Sequence, residues 1–255
     1  MIRVVFLLCL VFLASCTSFM PTSRVLEQVR ALRQMFLARE LETHDFRLGQ
    51  PVYFRIFKEE NVLEVWLKAN HSGQYALFKT YPICNFSGHL GPKLAEGDKQ
   101  APEGFYAIAP EQMNPNSGHH LAFNLGYPNA YDKAHGYTGS ALMIHGGCAS
   151  IGCYAMTDES VEQIYLIADN AMRHGQKTVP VHIFPFQMTP EKMAAHADSE
   201  WASFWQSLKI GYDLFEETKV PPIVRVDGIS YHFFPAGPPV KMAEKTQSSF
   251  LGFSL

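Results

Sequence analysis

Hydrophobic and polar positions along the chain change period several times, and each change marks a boundary. From residue 22 to 46, Val25, Val29, Leu32, Phe36 and Leu37 recur at helical spacing while Arg24, Arg30, Arg33 and Arg39 decorate the rest, so an amphipathic helix is expected. Such a helix packs on its own domain, acts as a spacer, or lies on a surface. The runs at 51–57, 62–67 and 75–81 are short and rich in β-branched and aromatic residues, with polar or glycine turns between them. They predict strands of an antiparallel sheet built from hairpins. Helical spacing returns at Val161, Ile164, Tyr165, Ala168, Ala171 and Met172 and ends at Gly175. Val179 to Pro185 then reads as a final, edge strand. Trp201, Phe204, Trp205 and Leu208 occupy i, i+3, i+4 and i+7, an aromatic stripe that reads as core packing. Asp227-Gly228, between Ile223 and Phe233, is expected to be a two-residue hairpin turn. Residues 235–255, rich in Pro, Gly and Ser, are expected to be disordered.

One stretch interrupts these patterns with chemistry. Leu142-Met143-Ile144-His145 is a short apolar run, Gly146 to Gly152 is dominated by small residues, and Cys153 precedes the helix caps Thr157 and Asp158. The expected order is strand, tight loop, helix. A cysteine at a helix N-terminus would meet unpaired N–H groups and the positive end of the helix dipole, which lower a thiol pKa. His145, eight positions upstream, could serve as its proton acceptor, and the N–H groups of Gly152 and Cys153 as an oxyanion hole. Two other readings stay open. His145, Cys148 and Cys153 resemble three ligands of a zinc site lacking its fourth. Otherwise the cysteines are buried small hydrophobes or disulfide partners and the histidine is a satisfied core residue.

Composition narrows the partners. A net charge of −3 over 255 residues leaves no basic footprint, so nucleic acid is not expected as a partner. The loop at 85–104 holds Gly88, Gly91, Pro92, Lys93, Gly97, Lys99, Pro102 and Gly104; it is a connection or a cleft wall, with Lys93 or Lys99 near substrate carboxylates. It lacks the Gly-Lys-Ser/Thr of a phosphate loop. His119 and His120 are adjacent and would point apart on a strand, a poor arrangement for shared ligation.

Ile144-His145-Gly146 followed by Ser150-Ile151-Gly152-Cys153 resembles the signature of the L,D-transpeptidase (YkuD-type) catalytic domain. The likeness extends to Tyr81-Pro82-Ile83-Cys84, Gly97-Asp98 and Ala101-Pro102-Glu103-Gly104-Phe105-Tyr106, and covers roughly residues 51–187. It implies a mainly β (α+β) fold, a β-sandwich or barrel with flanking helices, here followed by a small C-terminal helical and hairpin extension at 188–234. It also implies that Cys153 forms a thioester with peptidoglycan stem peptides, with His145 moving the proton, Gly152 and Ser150 in support, and no cofactor or metal. Two departures stand out. Cys153-Tyr154-Ala155-Met156 lacks the family's arginine or asparagine after the cysteine, and the His-to-Cys loop is short. Both resemble the YafK (DpaA) subgroup, associated with hydrolysing the bond between meso-diaminopimelate and a protein lysine. His135, 18 positions before Cys153, has a spacing nearer the family's usual one, but His145 has the family's strand context. Tyr131, His135 and Tyr154 are then candidates for the substrate wall.

Arg3, the apolar run Val4 to Leu13 and Leu13-Ala14-Ser15-Cys16 resemble a lipoprotein signal at 1–15, with Cys16 as the lipidated residue opening a linker and helix at 16–50. Ordinary cleavage to a periplasmic form is the alternative. Of five cysteines, Cys9 leaves with the signal and Cys16 is acylated, which leaves Cys84, Cys148 and Cys153. In an oxidising envelope we expect Cys84 to pair with Cys148 and Cys153 to stay free; the alternative keeps all three reduced. The expected protein is an enzyme of a Gram-negative envelope, lipid-anchored at the outer membrane. It would act on stem peptides and on a peptidoglycan-attached lipoprotein, by water (amidase) or by an amine (transpeptidase). An inactive wall-binding lipoprotein is the reading from a different class.

Overall fold

The computed structural model describes residues 20–70 and 72–236. The signal-like segment, Cys16 and most of the tail lie outside the described residues. In chain order the elements are α1 (Arg24–Thr43), β1 (Val52–Phe57), β2 (Val62–Lys68), β3 (Tyr75–Pro82), β4 (Asn85–Phe86), β5 (Gly104–Ile108), β6 (Met113–Ser117) and β7 (His120–Asn124). They continue with α2 (Ala130–Ala134), β8 (Met143–His145), β9 (Tyr154–Ala155), α3 (Asp158–Arg173), β10 (Val179–Phe184), α4 (Pro190–Ala195), α5 (Ala202–Thr218), β11 (Ile223–Asp227) and β12 (Ser230–Phe234).

Two five-stranded sheets carry the fold, in orders β3-β2-β1-β10-β5 and β4-β9-β8-β7-β6. β1 is buried at every position because both its faces are covered. Val52, Phe54 and Ile56 join the main core with α3 and the second sheet, while Tyr53 packs with Phe215 of α5. The first three strands form the expected antiparallel meander. Val179–Phe184, expected at an edge, instead lies between β1 and β5, parallel to β1 with Phe54 opposite Val181. The sheet is therefore mixed. β6 and β7, absent from the sequence reading, supply the outer strands beside β8.

α1 begins at Ser23, whose hydroxyl accepts from the Leu26 N–H at 3.1 Å, and buries Leu26, Val29, Leu37 and Leu41. Ion pairs from Arg30 to Asp169 (2.7 Å) and from Arg33 to Glu162 tie it to α3. On the opposite side α5 packs with the β11–β12 hairpin around Phe105, Trp205 and Tyr231. That hairpin turns one residue later than expected: Asp227 pairs with Ser230, and the loop is Gly228-Ile229, with Gly228 at φ +57°.

Candidate active site

β8 and β9 run parallel, with Ile144 opposite Tyr154 and His145 opposite Ala155. Extending that register by one residue sets Cys153 opposite Met143, two positions before His145 and on the same sheet face. Strand pairing thus puts the two candidate residues on one face of the sheet, diagonal to each other.

The connecting loop is held by named contacts. Gly146 donates to His119 O (3.1 Å) and Leu121 O (3.2 Å), and Gly147 donates to Asp158 Oδ1 (2.9 Å). A Cβ on Gly146 would lie 2.5 Å from Asp158 Oδ1 and 3.1 Å from His119 O, so a larger residue there would have to displace the carboxylate that holds the Gly147 N–H. Cys148 is joined to Cys84 (S–S 2.05 Å), tying the loop to the segment before β4. With Cys148 bonded in this way, the zinc reading loses one of its three ligands. Ser150 Oγ accepts from the Cys153 N–H (3.0 Å) and donates to Cys153 O (2.6 Å).

Cys153 is a free, half-buried thiol whose Sγ meets Ala141 O at 3.8 Å. It does not sit at a helix N-terminus. β9 separates it from α3, whose first turn is capped by Thr157 and occupied by Asp158. Burial therefore dominates and pushes the thiol up, opposed by the Met143 N–H and the positive charge of Lys93. The expected depression by a helix dipole is replaced by the opposite shift.

His145 is 3% exposed, and its Nδ1 donates to Gly146 O at 2.6 Å. Since a carbonyl only accepts, that bond leaves Nε2 free to take a proton. Burial lowers the pKa of His145, the Gly146 bond raises it, and neighbouring His119 lowers it further. The His119 ring lies 4.6 Å from that of His145, centroid to centroid. The half-buried thiol and the buried imidazole are thus each biased toward the neutral form. Neither is hydrogen-bonded to the other in the unliganded site; such bonds commonly tighten when substrate excludes water.

Other expectations require correction. Both proposed oxyanion donors are engaged, the Gly152 N–H by Ser87 Oγ and the Cys153 N–H by Ser150 Oγ. Tyr154 is not a wall residue: it is fully buried and donates to Pro102 O at 2.6 Å. Tyr131 is buried as well, stacked on Tyr231 at 4.2 Å. His135 caps α2, lies with its ring tilted against that of Tyr131 at 4.1 Å and donates its Nδ1 hydrogen to Tyr131 O, and Tyr131 in turn stacks on Tyr231 of the C-terminal extension. Lys93 is 4% exposed and paired with Asp98 at 2.5 Å, so its charge is already partnered. His119 and Ser87 were missed as site residues. His119 carried a weak signal in the turn Ser117-Gly118-His119, whereas Ser87 carried none.

The wall loop has its own anchor. Lys58 and Glu103 are both buried and paired at 3.0 Å; Lys58 also donates to Gly91 O and Ala101 O, and Glu103 accepts from the Gly91 N–H (2.6 Å) and Trp205 Nε1 (2.8 Å). Through Trp205 the C-terminal extension helps to fix the loop that passes beside Gly152 and Cys153.

A strand-borne His-Gly beside a small-residue loop ending in cysteine, carried by two β-sheets, is an arrangement that can support acyl transfer. The L,D-transpeptidase catalytic domain (YkuD) profile matches residues 53–206. YafK of Escherichia coli strain K12, which bears an L,D-transpeptidase name, is 49% identical over 179 residues, 70% of this chain and 72% of that protein; the O157:H7 protein matches equally. The chain belongs to the L,D-transpeptidase (YkuD) family. Among solved structures, the helical cell shape determining protein Pgp2 of Campylobacter jejuni (K307A mutant) is 22% identical with a TM-score of 0.44, covering 78% of this chain and 68% of its own. Bd1075 of Bdellovibrio bacteriovorus is 21% identical with a TM-score of 0.37, covering 68% and 64%.

Proposed function

We propose that this peptidoglycan-directed family member uses Cys153 as its nucleophile and His145 as its proton carrier, hydrolysing the link between meso-diaminopimelate and an attached protein. The observation that carries the reading is the register of β8 and β9, which sets a free cysteine and a neutral-biased histidine on one sheet face. His145 Nε2 takes the thiol proton as Sγ adds to the diaminopimelate carbonyl. The C–N bond breaks and the proton goes to the departing lysine amine, leaving a thioester. Water adds next, the C–S bond breaks, and the carboxylic acid leaves with the thiol restored. Positioning and N–H donors lower the barrier. For Gly152 and Cys153 to serve as those donors, the substrate oxygen must displace the hydroxyls of Ser87 and Ser150.

Hydrolysis is favoured over cross-linking because Ala155, fully buried on β9, stands where the family's arginine would grip an acceptor or donor carboxylate. Envelope location through an acylated Cys16 is part of the same proposal, supported by the Leu13-Ala14-Ser15-Cys16 sequence. Incubating purified enzyme with protein-linked muropeptides and with free tetrapeptides, then reading the products by mass, tests the reaction. Release of protein without new cross-links is expected. New cross-links would establish the transpeptidase, and no turnover of either substrate would leave a wall-binding protein.

A further inference from the structure

α1 presents two unlike faces. Leu26, Val29, Leu37 and Leu41 point into the core, whereas Val25, Leu32, Met35 and Phe36 are exposed, the last three at 70%, 57% and 64%. At 100° per residue these four side chains fall within an arc of about 100°, a stripe that also takes in Gln28 and Arg39, along a helix some 30 Å long. Arg24 and Arg39 lie at its two ends and, among the described residues, form no ion pair. Arg30 and Arg33, by contrast, are engaged by acids of α3. Apolar side chains of this size, bordered by unpaired guanidinium groups, match a helix that lies in the interface of a bilayer.

The chain ahead of the helix says what occupies the stripe. Met20 is buried against the core and lies only four positions after Cys16. Fully extended, four residues reach about 14 Å, and the eight to Arg24 about 28 Å. Acyl chains on Cys16 would therefore hold the N-terminal end of α1 close to the lipid headgroups. We infer that α1 lies on a phospholipid surface, with Val25, Leu32, Met35 and Phe36 in the acyl boundary and Arg24 and Arg39 among anionic headgroups. The inference rests on acylation of Cys16 and goes beyond it, because a tether alone would leave the domain free to rotate.

The test uses the full chain, purified as the processed lipoprotein and reconstituted in phosphatidylethanolamine–phosphatidylglycerol vesicles with brominated acyl chains. Phe36→Trp is expected to add emission that the bromines largely quench, whereas the emission added by Ile210→Trp, at an exposed position of α5, is not quenched. Adding Leu32→Glu to the Phe36→Trp protein should abolish the quenching while far-ultraviolet circular dichroism stays unchanged. Equal emission from Phe36→Trp in brominated and ordinary vesicles would overturn the inference, as would protection of the stripe by self-association at rising protein concentration. Intact mass reports acylation separately: protein without acyl chains that still binds vesicles and is quenched removes the anchor and keeps the stripe.

Discussion

The sheet built on β1 and the loop from Gly146 to Cys153 hold their shapes in different ways. β1 is buried at all six positions, pairs along its whole length with β2 and from Phe54 to Phe57 with β10, and packs into separate apolar clusters above and below. The loop has no core of its own; Ser150, Ser87, Asp158 and one disulfide hold it by individual bonds. The frame is over-determined and the loop is barely determined, so changes in the first should cost folding and changes in the second should cost rate.

The largest expected effect is in the frame. Glu103→Ala leaves the Lys58 ammonium buried without a partner, and equilibrium unfolding should show a loss of about 3–5 kcal/mol. Replacing both residues by Met and Leu should recover most of it; failure to recover would mean that the Trp205 and Gly91 bonds matter more than the charge pair.

Next comes the disulfide, which closes a span of 64 residues. Its removal by Cys84→Ser with Cys148→Ser should cost about 2–4 kcal/mol. Activity should fall at temperatures where the frame is still folded, since the bond staples the loop. Equal loss of rate and of folding with temperature would erase the distinction between the two regions.

An effect that is absent at neutral pH and accumulates with acid comes from His182 at the centre of β10. Burial holds its pKa down at about 3, helped by the Arg55 charge, and its Nδ1 is bonded to the Tyr53 hydroxyl at 2.8 Å. A depressed histidine pKa gives stability that is complete above the unfolded value of 6.5 and is lost as pH falls toward 3. Unfolding measured across that window should show about 1.4 kcal/mol lost per unit of pH. His145 is depressed too, so it acts with the same sign.

The smallest effect on stability belongs to the loop. Ser150→Ala removes two bonds to the Cys153 backbone, worth about 1–2 kcal/mol locally. The expected outcome is a roughly tenfold fall in kcat/KM with little change in the unfolding midpoint. A lowered midpoint with normal kinetics would reverse the comparison.

How much could be read in advance follows the same division. The stretch from Leu142 to Asp158 announces its strand, loop and helix because apolar period, glycines and caps are local signals. The meander and α1 were legible for that reason too. β10 was misplaced because nothing local says that a strand with Pro180 and His182 pairs parallel to one more than a hundred residues earlier. β6, Met113-Asn114-Pro115-Asn116-Ser117, has no strand pattern and exists because β7 offers it an edge. Tyr154 looked like a cleft residue because it follows the nucleophile, yet strand alternation turns it into the core. Four residues, Tyr154 to Thr157, separate the thiol from the first turn of α3, a length that capping signals alone do not resolve.

The most direct measurement is intact-protein mass during turnover of protein-linked muropeptides, made on the parent and on Cys153→Ala. The parent should pass through an adduct of the wall-peptide acyl group located on Cys153, while Cys153→Ala should carry no adduct and release no protein. Release by Cys153→Ala at the parental rate would contradict a nucleophilic role for this cysteine.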